Sequence, residues 1–281
     1  MCIIWVKFVS KFRIYQLQFL MQERHVNTDQ YISEQVLTTE KYVIPYINNV
    51  IPVSDKLVVA EIGCGQGGNL KPFLDMGCKV IGIDISKSKI DKARVFFSKH
   101  PLIDNVTLIE SDIYDIQADI FKNVGLVIMR DTLEHIPHQE VFLKHLNKIL
   151  KPKTKVFIGF PPWCMPFAGH QQVCKSRFLS KLPYFHLFPG PLYRLILKMF
   201  GEDNDYIVSL QEIKDTRIGI NRFRRIALKN NFVFLKQDLF LINPNYEIKF
   251  KLKPRLLPKA LDIPYIRDFF TTTYYSVIEK I

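Results

Sequence analysis

The chain has no Cys-x-x-Cys pair, no internal repeat, no low-complexity linker and no long apolar run free of charge. Its five cysteines, Cys2, Cys64, Cys78, Cys164 and Cys174, are odd in number and unpaired in spacing. That excludes a disulfide framework and suits a reducing compartment. Cys164, His170, Cys174 and His186 fit no common zinc spacing, so no structural zinc is expected. The first 25 residues are apolar but interrupted by Lys7, Lys11 and Arg13, too charged to span a bilayer easily, and no small-residue cleavage site follows. Residues 1–28 are read as an extension. It is either an amphipathic surface helix or translated sequence upstream of a start at Met21, and its first 20 residues are expected to be dispensable.

What is present is an ordinary apolar content of 48% and a formal charge of +12 over 281 residues. The length fits one α/β domain with embellishments, and the apolar content permits a real core. The basicity permits nucleic acid, an anionic membrane or an anionic substrate, and proves none of them. Lys and Arg are spread along the chain, as on a solvated surface.

The organisation is read from periodicity. Ile32, Val36, Val43, Ile47 and Val50 recur at helical steps after an N-cap at Thr28 or Asp29, and Pro52 ends the segment. Short apolar runs then alternate with helical ones. The strands are "KLVVAEIG", "KVIGIDIS", "VTLIESDI", "VGLVIMRD" and "KVFIGFPP". The helices are "GGNLKPFLDMG", "KSKIDKARVFFSKH" and "HQEVFLKHLNKILKP". This alternation predicts a doubly wound parallel sheet with right-handed crossovers. The pattern breaks at residues 163–208, rich in proline and aromatics with no clear strand. A helix is expected at 210–229, then strands at "FVFLKQDLFLINP" and "TTTYYSVIEK". The reading is one domain over 29–281 with an insertion at about 163–208.

The first strand ends in "EIGCGQGGN", residues 61–69. Glycines at a strand-to-helix turn let backbone contact a ligand, but such turns also serve nicotinamide cofactors or no ligand at all. The acids narrow the choice. Asp84 ends the second strand, where a carboxylate can accept from both ribose hydroxyls, and Asp112 ends the third, in reach of an adenine amino group. Glu61, inside an apolar strand, is costly to bury without donors and is expected to receive them from the glycine loop or a ligand. Three acids at three adjacent strand ends suit a ligand with a ribose, an adenine and a positive charge. They would repel a pyrophosphate.

These motifs resemble those of class I S-adenosylmethionine-dependent methyltransferases, nearest the small-molecule group that includes the ubiquinone- and menaquinone-biosynthesis enzymes. The likeness covers roughly residues 57–162 and, more loosely, the final strands. It implies a Rossmann-like seven-stranded sheet with the last strand antiparallel, and S-adenosylmethionine as cofactor. "EIGCGQG" matches the loop that binds the methionine portion, bringing in Glu61, Gly63, Cys64 and Gly65. Asp84 and Ile85 would lie at the ribose, Asp112 and Ile113 at the adenine, and the backbone near Arg130 in "IMRDTLEHI" at the methionine end.

"GFPPWCMPFAGHQQ", residues 159–172, holds a Pro-Pro-aromatic element like the one base-methylating members use. There it follows strand four and carries a polar residue before the prolines. Here it follows strand five, with Phe160 in that place, so Pro161 and Pro162 are read as a rigid exit into the insertion. The same stretch offers His170, whose pKa suits a general base, or which serves only as a loop hydrogen-bonding residue. Asp131 and His135 are the other candidate bases. Relatives with Glu-x-x-Glu-His at this point bind a divalent metal; Asp131 replaces the first Glu, and Glu134 and His135 are expected to act without one. The expectation is methyl transfer to a small hydrophobic acceptor at oxygen or carbon, by in-line displacement. The site would be cytoplasmic or peripheral to a membrane, with the aromatic insertion as acceptor wall. The alternative is a nucleic-acid-binding protein or RNA methyltransferase using the basic surface, with nucleic acid the less expected partner.

Overall fold

Five strands written mostly in apolar residues call for cover on both faces, and the computed structural model, which describes residues 28–281, supplies it to the four inner ones. The strands are β1 (Val58–Ile62), β2 (Lys79–Asp84), β3 (Val106–Glu110), β4 (Leu126–Arg130) and β5 (Lys155–Phe160), followed by β6 (Phe232–Ile242), β7 (Arg255–Leu256) and β8 (Thr273–Lys280). They form an eight-stranded sheet in the order β3-β2-β1-β4-β5-β8-β6-β7. β1 to β5 pair in parallel; β8 runs antiparallel between β5 and β6. The sheet thus has one strand more than the seven expected. The addition is the two-residue β7, which pairs with Phe240 and Ile242 on the outer edge of β6.

Alternation inside the buried strands divides the core in two. Val127 and Met129 of β4, with Val156, Ile158 and Phe160 of β5, pack on one face, with α5 (Gln139–Ile149) and α8 (Ile220–Lys229). Leu126 and Ile128, with Phe157, pack on the other, with α2 (Ile44–Asn48), which follows α1 (Thr28–Thr38), and with α3 (Lys71–Asp75) and α4 (Lys87–Phe97). α5 shows why it docks: Phe142, Leu143, Leu146 and Ile149 recur at helical spacing and are buried. Each such side chain contributes roughly 1.5–3 kcal/mol of transfer free energy. Phe160 lies edge-on to Phe223 and Tyr274 in this core. Trp163 N–H then donates to Ile218 O at 2.8 Å as the chain leaves the strand.

The helix expected at 210–229 is two helices, α7 (Asn204–Thr216) and α8. Arg217, at φ +45°, lies between them and is incompatible with a continuing right-handed helix. The helix expected from Gly67 to Gly77 shortens to α3, because the glycine loop and its turns consume the first residues. The readings made for residues 1–27 lie outside the described residues.

The chain divides into two compact units. The sheet body holds Ile32–Met165 and Thr216–Ile281. Pro166–Asp215 belongs to the second, with its own core of Cys174, Leu179, Phe185, Tyr193, Leu197, Ile207 and Leu210. The insertion was expected at about 163–208; the compact segment begins and ends a few residues later. It contains α6 (Gly190–Met199) and nearly all of α7, and no strand. Loops here are tied by buried polar side chains. Gln171 Nε2 donates to Pro166 O and Leu182 O, and Lys214 Nζ donates to His186 O and Phe188 O at 2.6 and 2.7 Å. The Glu202 carboxylate accepts from Lys175 N and Ser176 N.

Candidate active site

The loop after β1 is anchored from below. Gly63 N and Cys64 N both donate to Ile83 O of β2, at 2.8 and 3.0 Å, and Gly65 N donates to Asp84 Oδ2 at 2.9 Å. Asp84 Oδ1 accepts from Ser86 N at 2.8 Å. One buried carboxylate therefore holds both the glycine loop and the turn after β2, and each of its oxygens keeps a lone pair for a ligand. Gly65 sits at φ +54°, and nothing lies within 4 Å of where a Cβ would be. The loop is open at that point, in a backbone conformation that side chains rarely adopt.

Beneath it runs a buried polar chain. Asn69 Nδ2 donates to Glu61 Oε1 at 2.7 Å, while Asn69 Oδ1 accepts from Arg130 Nη1 at 3.0 Å and from Thr39 Oγ1 at 2.9 Å. Glu61 is fully buried, and burial outweighs its bond from Asn69 and the charge of Arg130, raising its pKa to about 8. Its other oxygen, Oε2, has no hydrogen-bond partner among the described residues. A buried acceptor left in this state invites a donor from a ligand. The donor expected from the glycine loop is instead the Asn69 side chain, the residue that follows it. Asn69 and Thr39 were missed as site residues. Asn69 had a signal in its place after the last glycine, whereas Thr39 is distant in sequence and had none.

After β4 the chain turns sharply. Asp131 lies at φ +52° and donates its N–H to Gly159 O at 2.8 Å, and the Arg130 guanidinium lies 3.7 Å from its carboxylate. A non-glycine residue in this region often marks a functional turn. Glu134 is buried, and burial with the nearby charge of Asp131 raises its pKa well above the usual range. Its backbone oxygen accepts from Thr216 Oγ1 at 2.5 Å. Desolvation draws the His135 pKa down from its ordinary value.

Comparison with known proteins matches this region. Residues 60–158 match the family model described as "Methyltransferase domain". Residues 60–158 thus carry a methyltransferase domain, with S-adenosylmethionine as its cofactor. Among curated proteins, ubiquinone biosynthesis O-methyltransferase of Bradyrhizobium diazoefficiens is 35% identical over 105 residues, 37% of this chain and 39% of that protein. The chain spans roughly half of the length of the curated relatives it matches, from 39% to 58%. Two solved structures share the fold. Magnesium protoporphyrin IX methyltransferase from Synechocystis has a TM-score of 0.51 at 15% identity, over 91% of this chain and 87% of that one. Geranyl diphosphate C-methyltransferase from Streptomyces coelicolor has a TM-score of 0.53 at 11% identity, over 85% and 77%.

Within the methyltransferase domain, Glu61, Gly63, Cys64, Gly65, Asp84 and Arg130 gather at the ends of β1, β2 and β4. The Cys64 side chain is buried in the core, and only its backbone belongs to the loop. Ile85 is 70% exposed on the turn after β2. Asp112 closes a 3₁₀ turn by accepting from Tyr114 N at 3.0 Å, and Ile113 is buried, its carbonyl 3.0 Å from His145 Nε2. Asp131 and His135 lie on the turn after β4. His170 belongs to the Pro166–Asp215 segment, at φ +56°, and its N–H donates to Phe167 O. The domain's residues fit its cofactor. Gly65 faces open space, Asp84 retains acceptor capacity, and the unsatisfied Glu61 oxygen can take a donor.

Proposed function

We propose that the protein transfers a methyl group from S-adenosylmethionine to oxygen or carbon of a small hydrophobic acceptor. The observation that carries this reading is the open position at Gly65 beside the Asp84 carboxylate, which already orders the loop and keeps lone pairs for ribose hydroxyls. In this reading Glu61, Gly63, Cys64, Gly65 and Arg130 surround the methionine end, Asp84 and Ile85 the ribose, and Asp112 and Ile113 the adenine. When bound, the cofactor supplies the electrophilic methyl; the chain orients the acceptor and takes up a proton where oxygen is the nucleophile.

Three residues are proposed for that proton. His135, its pKa drawn down by burial, and Asp131 sit together on the turn after β4. His170 is proposed from its chemistry, at the start of the aromatic segment that would supply the acceptor wall. The test combines calorimetry with S-adenosylhomocysteine and transfer of labelled methyl to a panel of phenols and polyprenyl quinols. Binding followed by transfer to an apolar acceptor is the expected result; no binding in the wild-type chain would sink the reading. His170→Ala, His135→Ala and Asp131→Asn are then compared. Loss of the base is expected to cost 10²–10⁴-fold in turnover, about that of a general base elsewhere, with cofactor affinity little changed.

A further inference from the structure

The segment Pro166–Asp215 keeps an apolar surface that its own core does not use. On α6, Tyr193 and Leu197 turn inward and are buried. Leu192, Leu195 and Met199, at steps of three and four, share another side of the helix, and Leu195 and Met199 are 54% and 73% exposed. Phe200 follows and stacks on Phe178, with ring centroids 5.7 Å apart and both rings exposed. Cations border this stripe. Arg194 and Lys198 are on α6, exposed beside it, and Arg177 and Lys181 flank Phe178. Residues 166–200 contain five Lys and Arg and no Asp or Glu. Arg194, Leu195, Lys198, Pro191 and Gln211 also line a groove of about 510 Å³.

We infer that this face docks on an anionic lipid bilayer, with Leu192, Leu195, Met199, Phe178 and Phe200 entering the headgroup–acyl boundary and Arg194 and Lys198 meeting lipid phosphates. An apolar stripe edged by cations is what an interfacial helix requires. A second copy docking this face by two-fold symmetry would bring the same acid-free stretch, residues 166–200, against these cations and no carboxylate from it to neutralise them. A nucleic acid would use the cations and rings but leave the aliphatic stripe in water. The inference goes beyond the methyl-transfer reading, and its test does not depend on it.

The full chain is floated with vesicles of phosphatidylcholine alone and of phosphatidylcholine with phosphatidylglycerol, at physiological and high salt. S-adenosylhomocysteine affinity and melting temperature are measured on the same preparations. Binding to the anionic vesicles, weaker on neutral ones and reduced by salt, is expected. The pair Leu195→Glu and Met199→Glu should lower it about tenfold or more by placing charge in the apolar boundary. Arg194→Gln with Lys198→Gln should weaken anionic binding and flatten its salt dependence while leaving the residual neutral binding unchanged. No vesicle binding, equal binding by all variants, or a wild-type dimer that the Glu variants dissolve would overturn the inference. So would retention on RNA in place of vesicles. Vesicle binding without S-adenosylhomocysteine binding would leave the docking face standing and remove the methyl-transfer reading; the reverse would do the opposite.

Discussion

The sheet body and the Pro166–Asp215 segment solve the same problem by different means. Both must pair buried backbone groups. In the sheet body neighbouring strands do so, and the side chains of β4 and β5 are free to be apolar on both faces. The inserted segment has no strand, so side chains must reach the backbone: Gln171, Lys214 and Glu202 together satisfy four carbonyls and two N–H groups. The difference teaches that a fold without a ladder spends polar residues in its interior. Each of them is a point where one substitution exposes the loss.

The largest expected effect lies in the sheet body. Asp84→Ala removes the acceptor for Gly65 N and Ser86 N together with those proposed for the ribose. Charge-assisted bonds contribute on the order of 1.5–3 kcal/mol each, so S-adenosylhomocysteine affinity should fall at least tenfold by calorimetry. Unchanged affinity would remove Asp84 from the site.

Next is Lys214→Met in the other region. Two buried carbonyls lose a cationic donor, about 1–3 kcal/mol for each group left unsatisfied. Hydrogen exchange should quicken at residues 185–215 far more than in β1 to β5. Uniform loss of protection across both regions would mean the two unfold as one.

Glu61→Gln acts through pH. The folded pKa of Glu61 is raised to about 8 from an ordinary 4.5, so the folded protein binds the proton more tightly than the unfolded chain. Its stabilising contribution is fully present below the unfolded pKa and is lost as pH rises toward 8. The wild-type melting temperature should therefore fall over this window more steeply than that of the Gln variant. Parallel curves would show that Glu61 ionises freely.

The smallest effect is expected at two glycines. Gly65 and Gly201 lie one in each region, at φ +54° and +77°, and at both an added Cβ would meet nothing within 4 Å. Either Gly→Ala change should cost about 1–2 kcal/mol of backbone strain. Only Gly65→Ala should also weaken S-adenosylhomocysteine binding. Equal affinities in the two variants would mean that the opening at Gly65 is not a ligand site.

Much of the sheet body was legible in residue order. Short apolar runs ending in Gly63, Asp84 and Arg130 could only be buried parallel strands, because fully covered strands abandon alternation and helices need longer periods. The acids at their ends followed from the same reading. What residue order could not carry was anything settled by distant partners. Asn69 reaches Glu61, Arg130 and Thr39 at once, across separations of 8, 61 and 30 residues, and no local pattern announces such a contact. The break at Arg217 and the extra β7 edge are likewise tertiary choices, one a left-handed residue and the other a two-residue pairing too short to leave a period. Residue order carries the succession of strands and helices and sets acids at the strand ends. Which buried polar atoms are satisfied, and which, like Glu61 Oε2, have no partner among the described residues, is settled only in three dimensions, because desolvation and hydrogen bonding depend on neighbours in space.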